Sequence, residues 1–238
     1  MNVTALIPAR YGATRFPGKL MQSLGGISVI RRTYEAARDT GLFNEVVVAT
    51  DSDAIENEIL SAGGSVFRSQ KEHESGTDRI AEAANGIETD LIINIQGDTP
   101  FIKKEPLSKL IDLFKSESVR VASMMQVLEK SEEIDDPNFV KVAIDGHQNA
   151  LFFSRSRIPY PRDINTSVTY YEHIGVYAFR KQALLDFVSW PMGTLEAIEK
   201  IECLRFLENG MPIKMLTVDY LGVEIDTPED LIKASKLL

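Results

Sequence analysis

The sequence predicts an α/β fold, a mainly parallel, Rossmann-like sheet flanked by helices, on three observations. Apolar, β-branched runs recur at residues 3–7, 46–50 and 91–95, and each is continuous rather than alternating, as strands buried on both faces require. Segments of helical length lie between them, with capping residues before and glycines after. Loops containing glycine leave the carboxyl ends of the first and third runs, which is where open α/β sheets bind ligands. With 238 residues, 44% of them apolar, the chain can build one core, so a single domain over residues 1–238 is the simplest organisation.

The first strand runs into the loop Pro8-Ala9-Arg10-Tyr11-Gly12-Ala13-Thr14-Arg15-Phe16-Pro17-Gly18-Lys19. Glycines let backbone amides approach phosphate oxygens, while Arg10, Arg15 and Lys19 supply charge that suits a polyphosphate. The loop is not a Walker A element, because five residues rather than four separate Gly12 from Gly18, and Leu20 stands where a hydroxyl is needed. A solvated basic turn is the other reading of the same residues. After the strand at 46–50, Ser52 and Asp53 suit the start of a helix to about residue 62, and Gly63-Gly64 closes it before Val66-Phe67. Another helix follows Ser75-Gly76-Thr77-Asp78, and the strand at 91–95 ends in Gln96-Gly97-Asp98-Thr99-Pro100.

The second half changes character. Residues 140–144 and 150–153 flank Asp145-Gly146, a reversal signal, and predict an antiparallel ribbon added to the sheet, with an apolar end suited to a dimer surface. In residues 195–205, Leu195, Ile198, Ile201 and Leu204 recur every three positions, which predicts one amphipathic helix with a solvated acidic flank. Residues 222–225 read as a last strand, and Thr227-Pro228-Glu229-Asp230 as a helix start with Thr as cap and Pro in the first turn.

A net charge of -9 argues against a general nucleic-acid binder, so anion binding must be local to the first loop. One cysteine, Cys203, excludes an internal disulfide framework and a Cys-rich metal site. The first residues lack the basic flank and apolar core of a secretion signal, and the expectation is a cytoplasmic protein. Two carboxylates stand out because each follows an apolar run. Asp98 suits a hard divalent cation held against nucleotide phosphates, or else a plain turn. Asp226 precedes the cap at Thr227 and is not explained by it. The two, with a basic loop, suit a magnesium and triphosphate site.

Seven segments together resemble the 3-deoxy-manno-octulosonate (Kdo) cytidylyltransferase, or CMP-Kdo synthetase, family. They are Ile7 to Lys19 (IPARYGATRFPGK), Val48-Ala49-Thr50-Asp51, Ser75-Gly76-Thr77-Asp78-Arg79, Asn94-Ile95-Gln96-Gly97-Asp98, Phe153-Ser154-Arg155-Ser156-Arg157-Ile158-Pro159, His173-Ile174-Gly175-Val176-Tyr177, and Ile225-Asp226-Thr227-Pro228-Glu229-Asp230-Leu231. The resemblance implies a nucleotidyltransferase sheet whose ribbon serves dimerisation, and a reaction of CTP with Kdo that gives CMP-Kdo and pyrophosphate for lipopolysaccharide. It implies Mg2+ and a homodimer. By position, Arg10, Arg15 and Lys19 would grip the triphosphate, and backbone around Pro8 and Ala9, with Ser75, would read cytosine. Asp98 and Asp226 would hold the metal, and Arg10, Lys19, Asp98 and Asp226 would carry the chemistry. Arg79, Gln96, Arg157, His173 and Tyr177 would line the sugar-acid site, with Glu199 or Glu202 reaching hydroxyls. Guanidinium groups do suit a sugar carboxylate, and amide, imidazole and phenol groups suit its hydroxyls.

Two departures bear on the sugar. Thr99 stands where the family resemblance leads one to expect Glu, and Cys203 where it leads one to expect Gln. The wording of Arg15-Phe16-Pro17 and Glu133-Ile134-Asp135-Asp136-Pro137 also resembles the branch acting on 8-amino-3,8-dideoxy-manno-octulosonate, which is the alternative substrate. A sialic-type acid, or a silent nucleotide-binding protein on the same fold, are the more distant alternatives.

Overall fold

The computed structural model describes residues 1–12, 16–71, 73, 75–163, 165–219 and 223–238. Its chain divides into two compact units, one of residues 1–108, 179–184 and 221–238, the other of residues 109–178 and 185–220. In the first, β1 (Val3–Ala9) is buried at every position and leads through the short hairpin β2 (Ser23–Leu24) and β3 (Ile27–Ser28) into α1 (Val29–Asp39). Then follow β4 (Glu45–Thr50), α2 (Asp53–Ser61), β5 (Ser65–Arg68), α3 (Gly76–Asn85), β6 (Leu91–Asn94) and the start of α4 (Lys104–Asp112). β1 pairs parallel with β4 and with β6, and β4 with β5, which gives the order β6-β1-β4-β5, with Ala5 opposite both Val46 and Ile93. The continuous apolar runs are therefore strands covered on both faces, as expected. Each helix turns one apolar stripe inward, Val29, Ile30, Thr33, Tyr34 and Ala37 on α1 for example.

The second unit holds β7 (Val121–Leu128), α5 (Ser131–Asp135), β8 (Lys141–Ile144), β9 (Ala150–Ser154) and most of β10 (Tyr170–Arg180). The predicted ribbon is present, β8 pairing antiparallel with β9 through Val142 opposite Phe153, and with β10 through Glu172 opposite Lys141. Its turn is built on Asp145, whose Oδ1 accepts from the backbone N–H groups of His147 and Asn149, each at 2.8 Å. α6 (Lys181–Ser189) precedes α7 (Thr194–Glu199) and α8 (Leu204–Glu208), and β11 (Ile213–Thr217) pairs parallel with β7. The closing helix, α9 (Pro228–Ser235), belongs to the first unit and has the expected Thr cap, here closed into a capping box: Thr227 Oγ1 accepts from Asp230 N at 3.2 Å, and Thr227 N donates to Asp230 Oδ2 at 3.1 Å. Among the described residues no helix is long and apolar enough to cross a membrane.

Two expectations about elements are corrected. Residues 195–205 are not one helix but the pair α7 and α8, broken at Lys200, which takes the left-handed conformation with φ 55°. The break lets Arg205 fold against Glu196, and their buried side chains form a two-pronged ion pair at 2.7 and 2.6 Å. The guanidinium also lies 4.1 Å from the Phe187 ring centre. Hence Ile201 and Leu204 are buried while Ile198, on the same predicted stripe, is 72% exposed. Removing one partner strands a buried charge, so Arg205→Met is expected to lower stability by about 3–5 kcal/mol in urea unfolding. Residues 223–225 are not a strand; Ile225 N donates to Asp98 O at 3.0 Å, and Gly222 lies outside the described residues.

Candidate active site

The first loop leaves β1 and is closed on itself by Gly18 N donating to Tyr11 O at 3.2 Å. Gly18 has φ 68°, a conformation in which a side chain is strained, and it delivers Lys19 into a single 3-10 turn, Lys19–Met21. On the neighbouring strand end, Thr33 Oγ1 of α1 donates to Gly97 O at 2.9 Å and Thr99 Oγ1 donates to Gln96 O at 2.6 Å, which fixes the turn carrying Asp98. A side chain at Gly97 would stand 3.1 Å from Pro8 O, closer than ordinary contact, so glycine eases the approach of this turn to β1. Ile225 N then ties Asp226 to the same turn.

These anchors converge on one cluster. The Lys19 ammonium donates to Asp98 Oδ2 at 2.5 Å and to Asp226 Oδ1 at 2.7 Å. Burial alone would lower the lysine pKa, but the charge of Asp98 and hydrogen bonds to both carboxylates outweigh it, and the pKa is raised. The ammonium is thus permanently charged at neutral pH and occupies the point that two carboxylates share. Arg10 is exposed and makes no ion pair among the described residues, whereas Arg15 lies outside them.

Around Pro8 the space is tight. A methyl built on Gly76 would stand 3.3 Å from Pro8 Cγ and 3.9 Å from Gln96 Oε1, so Gln96 lies beside the residues expected to read the base. Ser75 caps α3, its Oγ accepting from Asp78 N at 3.1 Å and donating to Asp78 Oδ2 at 2.8 Å. Arg79 is buried, and its guanidinium is committed to Asp51 Oδ2 at 2.7 Å and Ser69 Oγ at 3.1 Å. Asp51 was placed at a strand end by the sequence; its partnership with Arg79 has no sequence signal.

The remaining site residues lie in the second unit. His173 and Tyr177, four residues apart on β10, have ring centres 5.1 Å apart, and Phe153 of β9 meets the imidazole edge-on at 5.0 Å. Burial lowers the His173 pKa to about 3, so the ring is neutral. Arg157 stacks 5.2 Å over Tyr170, with Nε 3.3 Å from Asp135 Oδ1 but without a hydrogen bond. Both oxygens of Glu199 are engaged, by Ser154 Oγ at 2.7 Å and Arg155 N at 3.0 Å, which fixes the turn after β9. Glu202 is half-buried. Cys203 is buried, and burial pushes its thiol up to about 12, against a hydrogen bond with Tyr177.

The cytidylyltransferase family model matches residues 4–214. A 3-deoxy-manno-octulosonate cytidylyltransferase of Flavobacterium johnsoniae is 54% identical, covering 100% of this chain and 99% of its own, and that of Christiangramia forsetii is 55% identical, covering 100% and 97%. The chain belongs to the Kdo cytidylyltransferase family. A solved CMP:2-keto-3-deoxy-manno-octonic acid synthetase complexed with CTP superposes with a TM-score of 0.94 at 35% identity, covering 100% of this chain and 98% of that one. An 8-amino-3,8-dideoxy-manno-octulosonate cytidylyltransferase of Shewanella baltica is 41% identical, covering 100% and 99%. The CTP-dependent nucleotidyltransferase class and the α/β sheet expected from the sequence are therefore both borne out.

Proposed function

We propose that this chain transfers CMP from CTP to the anomeric hydroxyl of Kdo, releasing pyrophosphate, in the cytoplasmic supply of activated sugar for lipopolysaccharide. What carries this reading is the full-length likeness, above 50% identity, to curated Kdo cytidylyltransferases. The hydroxyl attacks the α-phosphorus in line, and the bond to the β-phosphate oxygen breaks. Arg10 and Lys19 take up charge as pyrophosphate leaves, Arg15 assists them, and backbone at Pro8 and Ala9, with Ser75, selects cytosine.

Asp98 and Asp226 suit magnesium, because both carboxylates already face one cation, the Lys19 ammonium. Two carboxylates leave the other positions of such an ion to phosphates and water. When bound, magnesium would supply Lewis-acid neutralisation of phosphate charge and a lowered pKa for the attacking hydroxyl. The two carboxylates would hold it, and Lys19 would turn to the triphosphate.

For the sugar acid, Arg157 offers a buried Nε without a hydrogen bond to the carboxylate, and His173, Tyr177 and Glu202 of the same unit offer partners for hydroxyls, as Gln96 does from the first unit. Glu199 and Arg79 act from within the protein, the first fixing the turn after β9 and the second tying Asp51 after β4 to Ser69 after β5. The two departures have structural employment: Thr99 caps the Gln96 turn and Cys203 packs against Tyr177. Neither requires the 8-amino sugar. The ribbon β8–β9, with Leu151 62% exposed, is the surface proposed to join two copies as a homodimer.

Pyrophosphate release from CTP and magnesium with Kdo, its 8-amino analogue and N-acetylneuraminate in parallel, with UTP as control, tests the reading. Kdo is expected to exceed both other sugars in kcat/KM by at least about tenfold. Preference for the amino analogue would replace the substrate, and silence with every sugar alongside tight CTP binding would replace the activity.

A further inference from the structure

We propose that Ser123 is a positioning residue that holds His173 as the tautomer protonated on Nε2, so that Nδ1 is presented as a hydrogen-bond acceptor. Ser123 lies on β7, fully buried, and nothing in the sequence pointed to it. Its Oγ stands 3.0 Å from His173 Nε2, 2.8 Å from Val176 O and 3.2 Å from Ile174 O. Carbonyl oxygens carry lone pairs only, so the single hydroxyl proton goes to one of them, and the shorter contact, Val176 O, takes it. Oγ then turns a lone pair toward His173, and Nε2 must bring the proton.

The opposite arrangement fails on the same distances. If Nε2 were bare, the hydroxyl proton would be drawn to it, leaving Oγ and Val176 O 2.8 Å apart with no proton between two lone-pair oxygens. Inside a buried site that repulsion is not relieved by water. The ring itself is fixed by Phe153 and Tyr177 on either side. Nδ1 makes no hydrogen bond among the described residues, and because burial keeps the ring neutral it is left with its lone pair.

The consequence for substrate rests on the proposed placement of His173 in the sugar-acid site; the tautomer does not. A lone pair at Nδ1 accepts from a hydroxyl or an ammonium and repels a carboxylate. His173 therefore reads the polyol portion of the sugar acid, and the carboxylate is left to a guanidinium such as Arg157.

Nitrogen NMR of the full chain labelled in its three histidines, with His173→Gln to assign the resonance, tests this directly. The wild type is expected to show His173 protonated on Nε2 alone. Ser123→Ala is expected to mix the two tautomers and to raise the sugar-acid KM by about tenfold, with kcat and the KM for CTP nearly unchanged; Ser123→Thr, which keeps the hydroxyl, is expected to restore both. Protonation on Nδ1 in the wild type, or an unaltered resonance in Ser123→Ala, overturns the proposal. A shifted tautomer with an unmoved sugar KM overturns the acceptor role and the placement of His173 at the sugar. Should Ser123→Ala not fold, the wild-type spectrum and Ser123→Thr still decide.

Discussion

Asp98→Asn is expected to lower kcat by about 10³ or more at saturating CTP and magnesium, with the fold retained. The substitution keeps the side chain's shape but removes one of two charges that converge on a single cation position. In the free protein that position is filled by Lys19, which after the change still has Asp226 at 2.7 Å, so the loss of stability should stay near 1–3 kcal/mol, the range for a hydrogen bond to a charged group. In the proposed nucleotide complex Lys19 would turn to the triphosphate and no longer stand in for the lost charge. A neutral amide gives a hard divalent ion a weaker oxygen ligand and no charge, and the loss falls on the step in which phosphate charge moves toward pyrophosphate. Asp226→Asn should behave alike. Steady-state rates across a magnesium titration decide the matter: a variant within tenfold of wild type at saturating metal would remove that carboxylate from the metal role.

How much of this was legible in the sequence differs by element, for physical reasons. The strands at 3–7, 46–50 and 91–95 were legible because burial on both faces writes a continuous apolar run, and the ribbon because Asp145 closes its own turn. The helix at 195–205 was misread because a spacing of three describes a stripe but says nothing of an ion pair folded across it; Glu196 and Arg205 look like solvated flank residues until the break at Lys200 brings them together. The apolar run before Asp226 also misled, since Ile225 is buried without being part of a strand. Arg79 reads as an anion ligand from its motif, yet Asp51 already answers its charge. Charge type is visible in a sequence, but the partner is not. The same limit hid Ser123, a small polar residue inside an apolar strand, whose meaning lies entirely in the three atoms around its hydroxyl.

Replacing Lys19 by Met is expected to have two large and opposite effects. Turnover should fall by about 10²–10³, because the triphosphate loses a charge placed where pyrophosphate leaves. Binding of Mn2+ to the nucleotide-free protein, followed by electron spin resonance, should at the same time tighten by on the order of tenfold to a hundredfold. The reason is competition: in the wild type an incoming ion must displace an ammonium bound at 2.5 and 2.7 Å to carboxylates that are partly shielded from water, where a charge pair is worth several times its value in bulk. With Met in place, Asp98 and Asp226 both lose the ammonium they share, and a divalent ion takes its position. Lys19 cannot fill the carboxylate pair and grip the triphosphate together, so CTP that draws the ammonium away would open the pair to the magnesium proposed above. Wild-type protein should accordingly bind Mn2+ more tightly in the presence of CTP than the ion's affinity for free CTP explains, and Lys19→Met should lose that difference. Equal Mn2+ affinity in the two nucleotide-free proteins would mean that the ion and the ammonium occupy different places.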